Sequence, residues 1–263
     1  MTIDAVDQYL GIPDGTVFVR MWIAENSAKA PIVLLHDSLG SVELWRGFPE
    51  ALATATSRTV IAYDRLGFGR SSSRTVPAVP GFIDDEARIY LPALVQALGL
   101  SHYVLFGHSV GGGMALAAAS VPGNTCVAVI TESAQAFVEE RTLSGIRAAK
   151  QGFESDAQFS RLSKWYGERA RWVLEAWTEV WLAPQFREWS LDYCLGKVNC
   201  PVLAIHGDAD EFGSSAFPRR ITQGVRGPAR MEVLEACGHV PHREKQAVVL
   251  ALAGSFLSEN RVP

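Results

Sequence analysis

Val104-Leu105-Phe106-Gly107-His108-Ser109-Val110-Gly111-Gly112-Gly113-Met114-Ala115-Leu116-Ala117-Ala118-Ala119 is the stretch that decides how the rest of the chain is read. An apolar run suited to a strand enters Gly-x-Ser-x-Gly, and a run of small residues suited to a helix leaves it. So tight a turn holds Ser109 in a strained conformation and brings the residues two positions either side into near contact. Gly107 and Gly111 permit this because neither carries a Cβ. Gly112, Gly113 and the alanines let the helix lie close to a sheet, its N-terminal N–H groups and partial positive charge aimed at whatever Ser109 attacks. The alternatives are a Gly-rich helix start with an incidental Ser, or a nucleotide-phosphate loop. The second fails, since neither Gly-x-x-x-x-Gly-Lys nor Gly-x-Gly-x-x-Gly is present.

Working outward, the 263 residues suit one α/β unit carrying an insertion. The net charge is −4 and no Lys/Arg run is long enough to track a phosphate backbone, so nucleic acid is not expected as a partner. Met1-Thr2-Ile3-Asp4-Ala5-Val6-Asp7 lacks the basic and apolar regions of a signal peptide, and no apolar segment reaches membrane-spanning length. The expectation is a cytoplasmic protein without membrane insertion. Cys126, Cys194, Cys200 and Cys237 are scattered without a Cys-x-x-Cys pair and read as reduced, mostly buried thiols rather than a metal site or disulfide framework.

Residues 6–24 read as a hairpin about Pro13-Asp14-Gly15. Pro31–Leu35 is a continuous apolar run of the kind buried on both faces in a parallel sheet. A helix over about 46–56 and the strand Thr59–Tyr63 follow, then a helix from Asp84 to about Leu98 in which Pro92 predicts a kink or break. Strands Cys126–Ile130, Pro201–Ile205 and Arg230–Leu234 and a final helix over 241–257 complete the alternation, which predicts a mostly parallel, doubly wound sheet. Residues 133–195 break the rhythm with helices but no core strand, dividing the chain into core (1–132), helical lid (133–195) and core (196–263). This segment holds Trp165, Trp172, Trp177, Trp181 and Trp189. A packing layer and a lid are both compatible with that spacing, and aromatics rimming a pocket favour an apolar or aromatic substrate.

A serine nucleophile needs a base, and the base needs an orienting carboxylate. In a doubly wound sheet such groups gather beyond the carboxyl ends of strands. The loop after Ile205 reads His206-Gly207-Asp208-Ala209-Asp210, and the loop after Leu234 reads Glu235-Ala236-Cys237-Gly238-His239-Val240-Pro241-His242. Acid and base then follow the serine in the order Ser, Asp, His.

These motifs, together with Tyr63-Asp64-Arg65-Leu66-Gly67-Phe68-Gly69-Arg70-Ser71, make the chain similar over essentially its full length to the α/β-hydrolase-fold serine hydrolases. The resemblance implies Ser109 as nucleophile, Asp210 as acid and His239 as base, with no metal or organic cofactor. It places the oxyanion hole at the N–H of Val110 and one from the loop after Leu35. Family members usually carry His-Gly there, whereas this chain has His36-Asp37, and by position Ser38 supplies the second donor. Glu132 is the main competitor to Asp210. Asp208 is expected to brace its loop, Asp37 to hydrogen-bond its own turn, and Asp64 and Arg65 to brace the loops around the site, as a structural ion pair rather than in the chemistry. His242 reads as a partly exposed surface residue and His102 and His206 as structural or pocket-lining; His108, Trp165, Trp177 and Trp181 are expected around the substrate.

The expected activity is cleavage of a carboxylic ester of a small, mainly apolar substrate through an acyl-enzyme on Ser109. Thioester, lactone or carbon–carbon bond hydrolysis, cofactor-free perhydrolysis, and elimination by a synthase of the same fold use the same triad; a ligand receptor on a hydrolase scaffold is the non-enzymatic alternative. Arginines of the lid, Arg141, Arg147, Arg161, Arg169, Arg171 and Arg187, are interleaved with glutamates and read as a solvated mixed-charge face.

Overall fold

The computed structural model describes residues 3–25 and 27–263. Its strands are β1 (Ile3–Ile12), β2 (Gly15–Ala24), β3 (Ile32–Leu35), β4 (Val60–Tyr63), β5 (Tyr103–His108), β6 (Cys126–Glu132), β7 (Val202–Gly207) and β8 (Ala229–Leu234). They form one sheet in the order β1-β2-β4-β3-β5-β6-β7-β8. The β1–β2 hairpin and its junction with β4 are antiparallel, and every other pairing is parallel.

The central strands β3, β4, β5 and β7 are buried at every position, as continuous apolar runs require when helices cover both faces. Alternate residues divide between the two covering layers. Val33, Leu35 and Leu105 join one apolar cluster with Met114 and Leu116. Ile32, Leu34, Val104 and Phe106 join the other with Phe48, Leu52 and Phe256. The helices concerned are α1 (Phe48–Thr56), α4 (Val110–Ala119) and α11 (Gln246–Glu259).

The helix containing Pro92 is not broken. It runs as α2 (Phe82–Asp85), a wide π-type turn (Glu86–Tyr90) and α3 (Leu91–Ala97). Pro92 has no N–H to give and crowds the carbonyl four residues back. The ladder widens just before it, with the Leu91 N–H reaching the Glu86 carbonyl. After β7 comes α9 (Ala216–Gly224), and the C-terminal helical stretch divides at Lys245 into α10 (Pro241–Glu244) and α11.

Between β6 and β7 lie α5 (Glu140–Gly152), α6 (Asp156–Tyr166), α7 (Ala170–Leu182) and α8 (Asp192–Leu195). Leu162, Tyr166, Ala170, Val173 and Leu174 form a third apolar cluster over Phe68, in the loop after β4. Polar ties hold this layer to the core. The Tyr166 hydroxyl lies 2.7 Å from the Leu39 and Gly40 carbonyls, Arg169 donates to the Ser71 and Gly69 carbonyls, and the Trp172 indole N–H donates to the Val76 carbonyl at 2.9 Å.

Candidate active site

Ser109 joins β5 to α4 with φ 55° and ψ −126°, a conformation L-residues rarely adopt. The close approaches around it explain the glycines. A Cβ on Gly107 would lie 2.3 Å from the Gly111 carbonyl oxygen, and one on Gly111 would lie 2.2 Å from that of Leu35. The Ser109 N–H donates to the Glu132 carbonyl at 2.9 Å, which ties the turn to the end of β6.

Three chain segments then converge. Ser109 Oγ is 3.0 Å from His239 Nε2, and His239 Nδ1 is 2.9 Å from each carboxylate oxygen of Asp210. Asp210 is fully buried, Ser109 is 5% exposed and the His239 side chain 11%. The Phe212 N–H donates to Asp210 Oδ1 at 2.8 Å, and the Phe212 ring meets the His239 imidazole edge-on. Burial pulls the His239 pKa down, but the hydrogen bond and charge of Asp210 outweigh it and leave it raised above 6.5. For Asp210, burial pushes the pKa up, and the hydrogen bond and charge of His239 with the charge of His206 leave it lowered. Such an arrangement can take a proton from Ser109 and hold the resulting imidazolium against a carboxylate.

Glu132 faces elsewhere. Its carboxylate accepts from the His242 N–H at 3.1 Å and from His242 Nδ1. His242, expected at the surface, is 3% exposed, because the start of α10 turns it inward against Trp45 and Phe48. His108, Glu132 and His242 place potential metal-ligand atoms within 4.8 Å of one another. The three side chains already have partners, since Glu132 pairs with His242 Nδ1 and His108 Nε2–H donates to the His239 carbonyl at 2.8 Å. Burial pulls the His108 pKa down to about 4. His206 lies 3.7 Å from Asp210 and also contacts the Gly213 carbonyl, whereas His102 is exposed.

The bracing loops differ in part from expectation. Asp208 accepts from the Cys237 N–H at 3.3 Å. Asp64 and Arg65 do not pair; Asp64 accepts from the Val42 and Arg70 N–H groups at 2.6 and 2.7 Å, while Arg65 turns to the loop after β3. In that loop the turn is closed by the Asp37 carbonyl, which accepts from the Gly40 N–H at 3.2 Å; among the described residues the Asp37 carboxylate makes no hydrogen bond. Main-chain geometry therefore supplies what the side chain was expected to supply.

Val110 opens α4, and its N–H, like that of Ser38, has no acceptor among the described residues. Ser38 is among the lining residues of a cavity of about 210 Å³, which Ser109, Val110 and His239 do not line; its apolar walls include Leu66, Phe68, Val79, Phe82, Trp172 and Trp177, with Arg65, Arg74 and Glu86 among its polar lining residues. Trp177 thus lines it, and packs edge-on against Phe212 beside His239. Trp181 does not; it is 2% exposed and packs on Phe186 and Trp189, because the inward stripe of α7 turns it into the core. Trp165 is 49% exposed and borders a separate open groove with Asp37, Arg161 and Arg243. His108 lies behind His239 rather than in the cavity wall.

Sequence reasoning missed Gln135, whose side-chain amide is 3.3–3.4 Å from Ser109 Oγ. It also missed Glu244, whose carboxylate accepts from the Gly238 and Val240 N–H groups at 2.7 and 3.1 Å and so clamps the loop carrying His239. A carboxylate a few residues after Gly-His was the available signal for the second. For Gln135 the sequence offers none.

The α/β hydrolase fold family model matches residues 30–246. A 2-hydroxymuconate semialdehyde hydrolase of Pseudomonas sp. (strain CF600) is 27% identical, with 92% of this chain and 91% of that protein covered. A (lyso)-N-acylphosphatidylethanolamine lipase of Bos taurus is 32% identical over 109 residues; the match takes in 41% of this chain and spans only 31% of the lipase. Among solved structures, proline iminopeptidase of Mycobacterium smegmatis superposes with a TM-score of 0.73 at 22% identity, covering 97% of this chain and 98% of that one. The enol-lactonase of Burkholderia xenovorans LB400 superposes with a TM-score of 0.74 at 18% identity, covering 95% and 100%. Those superpositions bear on fold alone. With the family model running across most of its length, this chain belongs to the α/β hydrolase fold family.

Proposed function

We propose that this member of the family is a serine hydrolase that cleaves a carboxylic ester of a small, mainly apolar substrate. The observation carrying the proposal is the continuous contact from Ser109 Oγ through His239 to Asp210, at 3.0 and 2.9 Å, on a strained turn at the start of a helix. His239 takes the Ser109 proton as Oγ attacks the ester carbonyl, and the Val110 and Ser38 N–H groups hold the resulting oxyanion. The tetrahedral intermediate collapses as His239 returns the proton to the leaving alcohol, giving an acyl-enzyme. Water then gives a proton to His239 and attacks the acyl carbon, and the acid leaves with Ser109 restored.

We read residues 133–195 as a lid, because Trp172 and Trp177 roof the cavity beside Ser38. A carbon–carbon bond hydrolase is the second reading, favoured by the near full-length similarity to the semialdehyde hydrolase. Labelling with a fluorophosphonate alongside turnover of p-nitrophenyl esters of increasing acyl length, in wild type, Ser109→Ala and His239→Ala, tests the first. Labelling and turnover lost in both variants supports it. Labelling without ester turnover moves the search to carbon–carbon substrates or a receptor, and undiminished turnover by Ser109→Ala refutes it.

A further inference from the structure

We propose that Arg65 is a positioning residue that, together with His36, locks the Asp37–Ser38 peptide unit and thereby aims the Ser38 N–H as an oxyanion donor. The inference rests on the reading of Ser38 given under the proposed function. A trans peptide is planar, with its C=O and N–H pointing in opposite directions, so whatever holds the Asp37 carbonyl also sets the direction of the Ser38 N–H. Three donors hold that carbonyl. They are His36 Nδ1–H at 2.8 Å, Arg65 Nη2 at 2.8 Å and the Gly40 N–H at 3.2 Å.

The tautomer of His36 follows from its other partner. The Arg65 main-chain N–H donates to His36 Nε2 at 3.1 Å, so Nε2 is the acceptor and Nδ1 carries the hydrogen. Arg65 thus closes a ring, gripping His36 with its backbone and Asp37 with its side chain, while His36 bridges the two. Burial pulls the His36 pKa down to about 3, which keeps the ring neutral.

The cost of this arrangement argues that it serves more than folding. Arg65 is only 5% exposed, and among the described residues it has no carboxylate within ion-pair distance. Its Nε has no partner, and the guanidinium lies 4.4 Å from the centre of the Phe68 ring. Glu86 and Asp37 act on this cation through their charge without an ion-pair contact, and a buried cation lacking a direct partner costs more than a neutral side chain of the same size. The nearest acceptor of Arg65 Nη2, at 2.8 Å, is the carbonyl of the peptide bearing the Ser38 N–H; His36 Nδ1, which donates to the same carbonyl, lies 3.4 Å from Nη2. A charged donor there makes a stronger bond than a neutral one and polarises the peptide, which strengthens its N–H as a donor. Arg65 and Ser38 both line the same cavity.

The test compares wild type, Arg65→Gln, Arg65→Lys and Ser109→Ala on the best p-nitrophenyl ester, with sites counted by end-point fluorophosphonate titration and affinity measured for an alkyl boronic acid that mimics the tetrahedral anion. Arg65→Gln is expected to lower kcat per titrated site by about 10–100-fold, short of the ~10²–10³-fold for losing a donor outright. KM should stay within about twofold, and boronate binding should weaken by the same factor as kcat. Arg65→Lys, which keeps charge but not the planar fork, should recover part of both losses. A role in folding alone lowers the titrated fraction and melting temperature but leaves kcat per site and boronate affinity unchanged, and that result overturns the inference. If Ser109→Ala abolishes turnover while Arg65→Gln behaves as wild type per site, the inference falls and the serine-hydrolase reading stands. If Ser109→Ala turns over normally, both fall.

Discussion

Replacing Asp210 by Asn tests the proposed charge arrangement with little change of shape. The Phe212 N–H, 2.8 Å from Oδ1, needs an oxygen opposite it, so the Asn amide places its NH₂ on the Oδ2 side, toward His239 Nδ1. His239 Nδ1 lies 2.9 Å from both positions, so it meets the new donor on one side and the retained oxygen on the other. The change favours the tautomer that accepts at Nδ1 and carries its hydrogen on Nε2, which points at Ser109 Oγ from 3.0 Å and can no longer take a proton. The imidazolium formed during attack also loses a carboxylate at 2.9 Å in a buried setting. We expect kcat to fall about 10⁴-fold, equivalent to about 5.5 kcal/mol at ~1.36 kcal/mol per factor of ten. The pH dependence of kcat/KM provides a second reading. Activity needs neutral His239, so in wild type the acid limb rises through a pKa above 6.5; without the carboxylate, burial is opposed only by the weaker charges of Glu211 and Asp37, and the limb moves to lower pH. Stability follows the same signs. The raised His239 pKa contributes stability that is present below 6.5 and lost as pH rises through the folded value, whereas the lowered Asp210 pKa contributes stability that is lost as pH falls through its own. Both contributions disappear in the variant. Stopped-flow or steady-state ester turnover from pH 5 to pH 9, on Asp210→Asn and on Glu132→Gln, is the assay. Retention of activity within tenfold by Asp210→Asn, with the loss falling on Glu132→Gln instead, refutes the reasoning.

Three further outcomes are expected. Gly111→Ala sets a Cβ 2.2 Å from the Leu35 carbonyl oxygen, so backbone must move against backbone; a stability loss of about 1–3 kcal/mol by denaturant titration and roughly a 10²-fold drop in kcat should accompany it. Glu244→Gln leaves one of the Gly238 and Val240 N–H groups without its carboxylate and loosens the loop carrying His239, which should lower kcat about tenfold, with roughly 1 kcal/mol lost by melting because the site is exposed. Trp172→Ala removes the indole between Gly67 and the Val76 carbonyl, and the acyl-length optimum measured with p-nitrophenyl esters should shift to longer chains, at a stability cost of roughly 2 kcal/mol for this half-buried side chain.

Local chemistry carried most of the architecture. Continuous apolar runs such as Ile32–Leu35 can satisfy themselves only inside a covered parallel sheet, and Gly-x-Ser-x-Gly between such a run and a small-residue helix specifies a close turn because no Cβ fits there. The loops after β7 and β8 could be named as meeting places for the same reason, since strand ends in such a sheet converge. Side-chain partners were another matter. Nothing near His242 in sequence indicates that α10 turns it onto Glu132 at the far end of β6, 110 residues away, or that Arg65 passes over Asp64 to reach the Asp37 carbonyl. The tryptophans of α7 share one helical period, yet Trp177 faces the cavity and Trp181 the core, because the layers above and below α7 decide which edge of its apolar stripe meets empty space. Periodicity is a property of the chain, and it determined where the sheet, the turn and the helices form. Orientation against a neighbour is a property of packing, and it alone decided which carboxylate meets which histidine and which aromatic ring meets the cavity.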